Sequence, residues 1–339
     1  MNVKEIEPTT KNINEVIFEE DLSIVVDELV KLKFKEINKG KEDNVIKQYF
    51  FGYINNHKIN SQEIYNWIIN NQNDSNSIYL LGYFNYHGIE ANINKHKAFE
   101  LYQKAVELEN SVAQYFLARI YFYGKGIEKN HHEAFELSKK LTEGKYPSGI
   151  NNLGCCYKKG IGTDVDEQKA FELYQKAADL GNIKGMNNLG YCYEKGDGTD
   201  VNMQKAFTFY QKTADLGDSH GTNNLGCCYK DGTGTDINLQ KAFKLYQKAA
   251  DLGNAHGISN LGYCYEKGIG TDVNKQKAFK LYHKAADLGN VLAQYNLALM
   301  YENGNGIEKD IMKAIYWYEK SAGQGDEDAQ NKLAELLLS

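Results

Sequence analysis

Leucine recurs at a fixed interval of 36 residues, at Leu81, Leu117, Leu153, Leu189, Leu225, Leu261, Leu297 and Leu333. Each is followed by glycine or alanine: Gly82, Ala118, Gly154, Gly190, Gly226, Gly262, Ala298 and Ala334. Eight anchors in one register, without an insertion, mark a repeat architecture, and a period of this length belongs to a supersecondary unit rather than to a single helix or strand. Within residues 146–181 two helical patterns alternate. Ile150, Leu153, Cys156 and Tyr157 fall on one face at spacings of three and four, and Gly154 beside them permits close approach of a second helix. Ala170, Leu173, Tyr174 and Ala177 repeat that spacing, while Glu172, Gln175, Lys176 and Asp179 face away.

Stop and start signals mark the same boundaries. Gly88, Gly124, Gly160, Gly196, Gly232, Gly268 and Gly304 close the first helix of successive repeats, where a left-handed residue is expected. Asn94, Asn130, Asp166, Asn202, Asn238, Asn274 and Asp310 stand where the second helix needs an N-cap. A second capping column precedes the first helix: Asp74, Asn110, Asn182, Asp218, Asn254, Asn290 and Asp326. Its exception is Tyr146, where Pro147 supplies a preset first turn instead. The chain has only one other proline, Pro8, so glycine and Asn/Asp caps carry nearly all the punctuation.

Two short antiparallel helices cannot bury both apolar faces alone, so neighbouring repeats must stack. The expected fold is all-α: a right-handed α-α superhelical solenoid of 36-residue helix-turn-helix repeats, with the first helices lining a concave inner wall. Residues 1–11 are expected to lack fixed structure, 12–74 to form a helical N-terminal cap or connector, 75–326 seven repeats, and 327–339 a C-terminal capping helix. Three apolar runs make up the N-terminal segment: Ile17, Ile24, Val25, Leu29, Leu32 and Phe34; Val45, Ile46, Tyr49, Phe50 and Tyr53; and Ile64, Trp67 and Ile68. A cap over the first repeat is the reading that solubility of a solenoid requires; a separate binding module is the alternative.

Composition narrows the function. Acidic residues outnumber basic ones 45 to 39, the signs are interspersed, and Arg119 is the only arginine, so nucleic acid is not an expected partner. The polar start, with Glu5 and Glu7, is not a secretory leader, and no apolar run reaches membrane-spanning length, so a cytoplasmic chain without membrane insertion is expected.

The recurrent pattern reads, in one repeat, Gly185, Leu189, Gly190, Tyr193, Gly196, Gly198, Lys205, Ala206, Phe207, Tyr210, Lys212, Ala214, Asp215 and Gly217. It resembles the Sel1-like repeat, a relative of the tetratricopeptide repeat with a longer, glycine-containing loop between its helices. The resemblance covers about three quarters of the chain. Glu90 replaces the second loop glycine in the first repeat, and Ser138 replaces the second-helix tyrosine in the second. The resemblance implies a non-catalytic scaffold or adaptor that binds partner proteins along the concave face. Some eukaryotic arrays of this kind follow a protein-kinase domain, which implies a regulatory subunit or remnant associated with a kinase as the alternative. Cysteine-stapled relatives reported as hydrolases are a third reading.

No kinase loop or triplet occurs here, nor a Gly-x-Ser-x-Gly elbow. Cys156, Cys192, Cys228 and Cys264 share one column on the buried face; Cys155 and Cys227 point the other way. Stapled relatives pair cysteines between the two helices of a repeat, but no second helix here contains one. Same-column residues of stacked repeats sit on the order of 10 Å apart, beyond disulfide reach. Small buried residues in a reducing compartment are therefore expected. His220 and His256 share a column and His131 and His132 are adjacent, without metal-ligand spacing. The paired glycines such as Gly160 and Gly162 follow a helix rather than a strand and lack the Gly-Lys-Ser/Thr ending of a phosphate loop. No cofactor, metal or catalytic residue is expected.

The arrangement with binding potential lies on the first helices. Two residues before the anchor leucine the column reads Tyr115, Asn151, Asn187, Asn223, Ser259 and Tyr295; two after it, Arg119, Cys155, Tyr191, Cys227, Tyr263 and Leu299. Beside them run Asn152, Asn188, Asn224, Asn260 and Asn296. Amides can donate to and accept from an extended peptide backbone, and Tyr191 and Tyr263 offer amphipathic contact area. The peptide-binding candidates are therefore Asn151, Asn187, Asn223, Asn152, Asn188, Asn224, Asn260, Tyr191 and Tyr263. The same amides could instead tie adjacent helices together.

Overall fold

The structure is a computed structural model that describes residues 19–124 and 126–338. The segment 1–11 expected to lack fixed structure, and Ile17 of the first apolar run, lie outside the described residues. Among those described the chain forms 18 helices and no strand. Three precede the repeats: α1 Glu19–Asn38, α2 Asp43–Asn56 and α3 Ser61–Asn70. The repeats follow as pairs: α4 Ser75–His87 with α5 Lys95–Glu107, α6 Ser111–Tyr123 with α7 His131–Glu143, and α8 Pro147–Lys159 with α9 Glu167–Asp179. Next come α10 Ile183–Lys195 with α11 Met203–Asp215, α12 Ser219–Asp231 with α13 Leu239–Asp251, and α14 Ala255–Lys267 with α15 Lys275–Asp287. The last pair is α16 Val291–Asn303 with α17 Ile311–Ala322, and α18 Glu327–Leu338 closes the chain.

The chain divides into two compact units. The N-terminal unit holds residues up to Glu36 together with Asp43–Asn130; the C-terminal unit holds Ile37–Glu42 and His131 onward. In the first, α3, α4, α5 and α6 pack in sequence; in the second, every helix from α7 to α18 packs on the next. The boundary falls inside the second repeat, the one whose second helix has Ser138 in place of tyrosine.

The punctuation works as the sequence implies. The seven first helices of the complete repeats end on a glycine in the left-handed region, with φ between 65° at Gly160 and 82° at Gly196. Asp166, Asn202, Asn238, Asn274 and Asp310 each accept the backbone N–H three residues on, which meets one of the donors a helix start leaves open. Tyr146 makes no side-chain cap, and Pro147 stands in the first turn, so the one exception in that column is real and is compensated.

Packing within a repeat centres on the second-helix tyrosine. Tyr102, Tyr174, Tyr210, Tyr246, Tyr282 and Tyr318 are all buried. The ring of Tyr174 packs against Gly154, where a Cβ would sit 2.8 Å from a ring carbon, so the residue after the anchor leucine is small because the ring occupies its side-chain space. Where the tyrosine gives way to Ser138, the small residue is Ala118. Between repeats, the phenylalanine of one second helix meets the tyrosine of the next first helix edge to face, as in Phe171–Tyr193, Phe207–Tyr229 and Phe243–Tyr265, with centroids 5.5–5.6 Å apart.

Candidate functional site

In the C-terminal unit the amide columns are hydrogen-bonded to each other. Asn188 Nδ2 donates to Asn151 Oδ1 at 2.9 Å, Asn224 Nδ2 to Asn187 Oδ1 at 3.2 Å, and Asn260 Nδ2 to Asn223 Oδ1 at 2.8 Å. Each bond joins one repeat to the next, since the donor immediately precedes the anchor leucine of its own repeat and the acceptor belongs to the repeat before. Asn151 and Asn223 are buried, as is Ser259; Asn152, Asn187, Asn188, Asn224 and Asn260 are half-buried. The ladder therefore couples neighbouring first helices, and Asn151, Asn187 and Asn223 are its acceptors. The second amide hydrogens of Asn188 and Asn260 reach the Cys155 and Cys227 sulfurs at 3.8 and 3.9 Å. The carboxamide oxygens of Asn188 and Asn260 make no hydrogen bond among the described residues. One helical turn further along stand Tyr191 and Tyr263, 43% and 39% exposed, which makes them the outermost aromatic groups of this face.

The column that holds these tyrosines alternates, and a second position alternates with it. Where it is cysteine, the residue three further on is lysine, Lys158 or Lys230; where it is tyrosine, that residue is glutamate, Glu194 or Glu266. The physical reason is the buried second-helix tyrosine, whose hydroxyl needs a partner. Tyr174 and Tyr246 donate to the thiols of Cys155 and Cys227, at 3.5 and 3.3 Å. Tyr210 and Tyr282 donate to the carboxylates of Glu194 and Glu266, both at 2.9 Å. Cys155 and Cys227 thus do not simply point away from the second helix, because its tyrosine reaches them. Lys158 lies 4.7 Å from the Tyr191 ring centroid and pairs with Asp197 in the loop of the next repeat. A cation over the ring and a carboxylate beyond it place both charges next to the exposed aromatic.

The same unit holds a stretch of its own chain against the starts of three first helices. Asn38 Oδ1 accepts from the Ser148 hydroxyl at 2.8 Å, and the Asn38 carbonyl from Asn182 Nδ2 at 2.9 Å. The Lys39 carbonyl accepts the Ile183 N–H at 2.9 Å, and the Glu42 carboxylate the Ser219 N–H at 2.8 Å. Lys41 donates to the Leu216 carbonyl at 3.1 Å. Asn38, Lys39 and Glu42 are thus held at the starts of α8, α10 and α12, and Lys41 at the end of α11. Burial, with the Glu42 carboxylate as a smaller contribution, raises the Asp218 carboxyl above the usual range against the lowering effect of the Gly221 N–H.

In the N-terminal unit the same wall columns are Tyr79 and Tyr83, then Tyr115 and Arg119, with Phe116 beside them. This face is covered. Lys33 of α1 sits over Tyr83 with its ammonium 5.4 Å from the Tyr79 centroid, 5.2 Å from Phe116 and 5.7 Å from Phe50 of α2. Arg119 donates to Asp43 at the start of α2, at 3.0 Å. The periodic columns give the wall positions, but the sequence alone does not show that α1 fills them, since a lysine inside an apolar stripe reads as a solvent-facing residue.

All six cysteines are free thiols. Burial pushes Cys156 and Cys228 up to about 12 and Cys192 and Cys264 up to about 11, which suppresses thiolate formation. Asn290 Nδ2 lies 3.1 Å from His256 Nδ1, a contact that joins two repeats, and burial followed by His220 lowers the His256 pKa. Among the described residues no group of three His, Cys, Asp or Glu is placed to hold a metal ion, and no helix is long and apolar enough to cross a membrane.

Stacked helix pairs with a glycine-rich loop and a wall of first helices define a helical-repeat protein, a class whose folds generally mediate protein–protein interaction. The Sel1 repeat family model matches residues 75–110, 111–145, 147–182, 183–218, 219–254, 255–290 and 291–326. The chain belongs to the Sel1 repeat family, which is generally a family of non-catalytic interaction scaffolds. Among solved structures it is similar to a Sel1 repeat protein from Oxalobacter formigenes, at 30% identity over 65% of this chain and 86% of that one, with a TM-score of 0.54. It is also similar to a protective antigen of uropathogenic Escherichia coli strains that displays this fold, at 29% identity and a TM-score of 0.52. That match covers 82% of this chain and 59% of the antigen. No curated protein sequence matches the chain.

Proposed function

We propose that the chain is a cytoplasmic adaptor that binds an extended segment of a partner protein along the first-helix face of its C-terminal unit. The observation that carries this reading is the recurrence, two repeats apart, of an exposed tyrosine one turn from an unengaged amide oxygen: Tyr191 with Asn188, and Tyr263 with Asn260. Successive first helices lie on the order of 10 Å apart, so the two tyrosines are separated by roughly 20 Å. An extended segment covers that in about six residues. Its N–H groups would donate to the Asn188 and Asn260 oxygens, and its side chains would lie against the two rings. Asn152 belongs to the same row at its N-terminal side. Asn151, Asn187, Asn223 and Asn224 hold the wall in shape through the ladder. The segment Ile37–Glu42 supports the reading as an example of this unit taking main-chain groups of a polypeptide.

The test replaces both rings. A photo-crosslinking residue at position 191 or 263 captures the partner from the native cell. The Tyr191→Ala/Tyr263→Ala chain is expected to lose at least about tenfold in affinity for it, as two central aromatic anchors do, while its melting temperature stays within a few degrees. Unchanged affinity in a chain that folds normally removes this reading.

A further inference from the structure

The first-helix face of the N-terminal unit carries none of the residues proposed above to bind a partner. Helix α1 meets it with Lys33, and Leu22, Val26, Leu29 and Val30 are buried along the same stripe of α1 at spacings of three and four. Asp27 at its edge accepts from Asn76 Nδ2 of α4 at 2.8 Å, and Glu28 takes the hydroxyl of Tyr53. Four members of the stripe are aliphatic. The fifth, Lys33, is 1% exposed, and its ammonium has aromatic rings around it and no hydrogen-bond partner.

That is an expensive arrangement. An ammonium carries three donors, and rings offset only part of the cost of removing it from water. Burial lowers the Lys33 pKa well below its ordinary value. The wall under α1 is equally unsatisfied, since the hydroxyls of Ser77, Tyr79 and Tyr102 are buried and unbonded. In the C-terminal unit the tyrosines equivalent to Tyr102 all find a thiol or a carboxylate: Tyr174, Tyr210, Tyr246, Tyr282 and Tyr318. In the first repeat Tyr83 and Tyr86 stand where those repeats have the thiol or the carboxylate, so Tyr102 lacks its partner within its own repeat, and Lys33 is the mismatch that α1 itself brings.

We propose that the first-helix face of the N-terminal unit is a receptor for an amphipathic helix, that α1 is its resident competitor, and that the incoming ligand is a partner helix with the apolar spacing of α1 and a neutral side chain where α1 has Lys33. A methionine or leucine at that point keeps the ring contacts and removes the buried charge. The tether gives α1 a high effective concentration, so the face stays covered until a better-matched helix arrives. The lysine sets that threshold.

Hydrogen exchange of the full chain, read by mass spectrometry, tests this. Amides of α1 are expected to exchange about tenfold faster than those of α4 and α6, and Lys33→Met is expected to slow them by about that factor. A peptide of residues 19–36 carrying Lys33→Met, added at about 1 mM to compete with the tethered helix, is expected to speed α1 exchange further in the unaltered chain. The same peptide with its stripe scrambled should not. If α1 exchanges as slowly as α4, or is not slowed by Lys33→Met, it is a fixed part of the fold and the proposal falls. If the matched peptide leaves α1 exchange unchanged, the face takes no helix in trans, and the proposal falls equally. Neither result bears on the Tyr191 and Tyr263 affinity measurement.

Discussion

His87 shows how the N-terminal unit responds to acid. It sits at the end of α4, and burial, then the charges of Lys33 and Lys47, lower its pKa from 6.5 to about 4. A histidine whose folded pKa is depressed binds fewer protons in the folded state, so stability rises with pH across the window between the two values and is lost as pH falls through it. Lys33 acts in the same direction at higher pH, because its lowered pKa also means that the unfolded chain holds the extra proton. Acidification from pH 6.5 to 4 is therefore expected to destabilise the N-terminal unit through His87 by about 2 kcal/mol, after allowance for the partial exposure of the ring. Denaturant melts at a series of pH values check this, and His87→Gln should flatten the slope between pH 4 and 6.5. A slope that His87→Gln leaves unchanged would assign the acid response to other groups.

The elements are held in register by residues whose reason lies in the neighbouring repeat. Gly198, the second loop glycine of its repeat, has φ +68°, and a Cβ there would overlap the carbonyl of Glu167 at the start of the preceding second helix. Gly162, Gly234, Gly270 and Gly306 make the equivalent approach to His131, Met203, Leu239 and Lys275. Gly198→Ala is expected to cost about 2–4 kcal/mol, the sum of left-handed strain and a backbone overlap, measured by chemical denaturation. A cost under about 0.5 kcal/mol would show that the loop is free to move away. The first repeat supports the argument by exception. No second helix of a repeat precedes it, Glu90 takes the position with φ +51°, and its carboxylate accepts from Ser61 at the start of α3. That departure from the repeat pattern has a local cause which the sequence by itself does not display.

Legibility in the sequence follows the same division. Helix pairs, their ends and the buried leucine and tyrosine columns repeat in register, so period and caps suffice to place them. The compensation of Tyr146 by Pro147 is readable for the same reason. The candidate site is less so, because a period says which residues share a face and not which of them meet. Asn151, Asn187 and Asn223 read as peptide-binding residues from their column alone, and their pairing with amides of the following repeat is not visible there, nor is the exposure of Tyr191 and Tyr263. Lys33 and the Ile37–Glu42 segment lie outside the periodic part of the chain, so no column could assign them.

At the scale of the whole molecule, stability in the C-terminal unit is a sum over repeats and the interfaces between neighbours. The junctions there reuse the same parts: the Phe–Tyr edge contact and the glycine approach recur along the unit, and the Asn ladder joins the third to the sixth repeats. A repeat is consequently removable without harm to the rest, provided that all 36 residues go together. Deletion of residues 219–254 joins Asp218 to Ala255 and leaves Asn260 facing Asn187. It also brings Tyr191 and Tyr263 from two repeats apart to one.

The most direct measurement of this account is circular dichroism and thermal unfolding of that deletion chain, with affinity for the captured partner read in parallel. The expected result is unchanged helicity per residue, one cooperative melt a few degrees lower, and loss of partner binding because the two rings are wrongly spaced. A chain that loses its helicity, or one that folds and binds the partner as before, would contradict it.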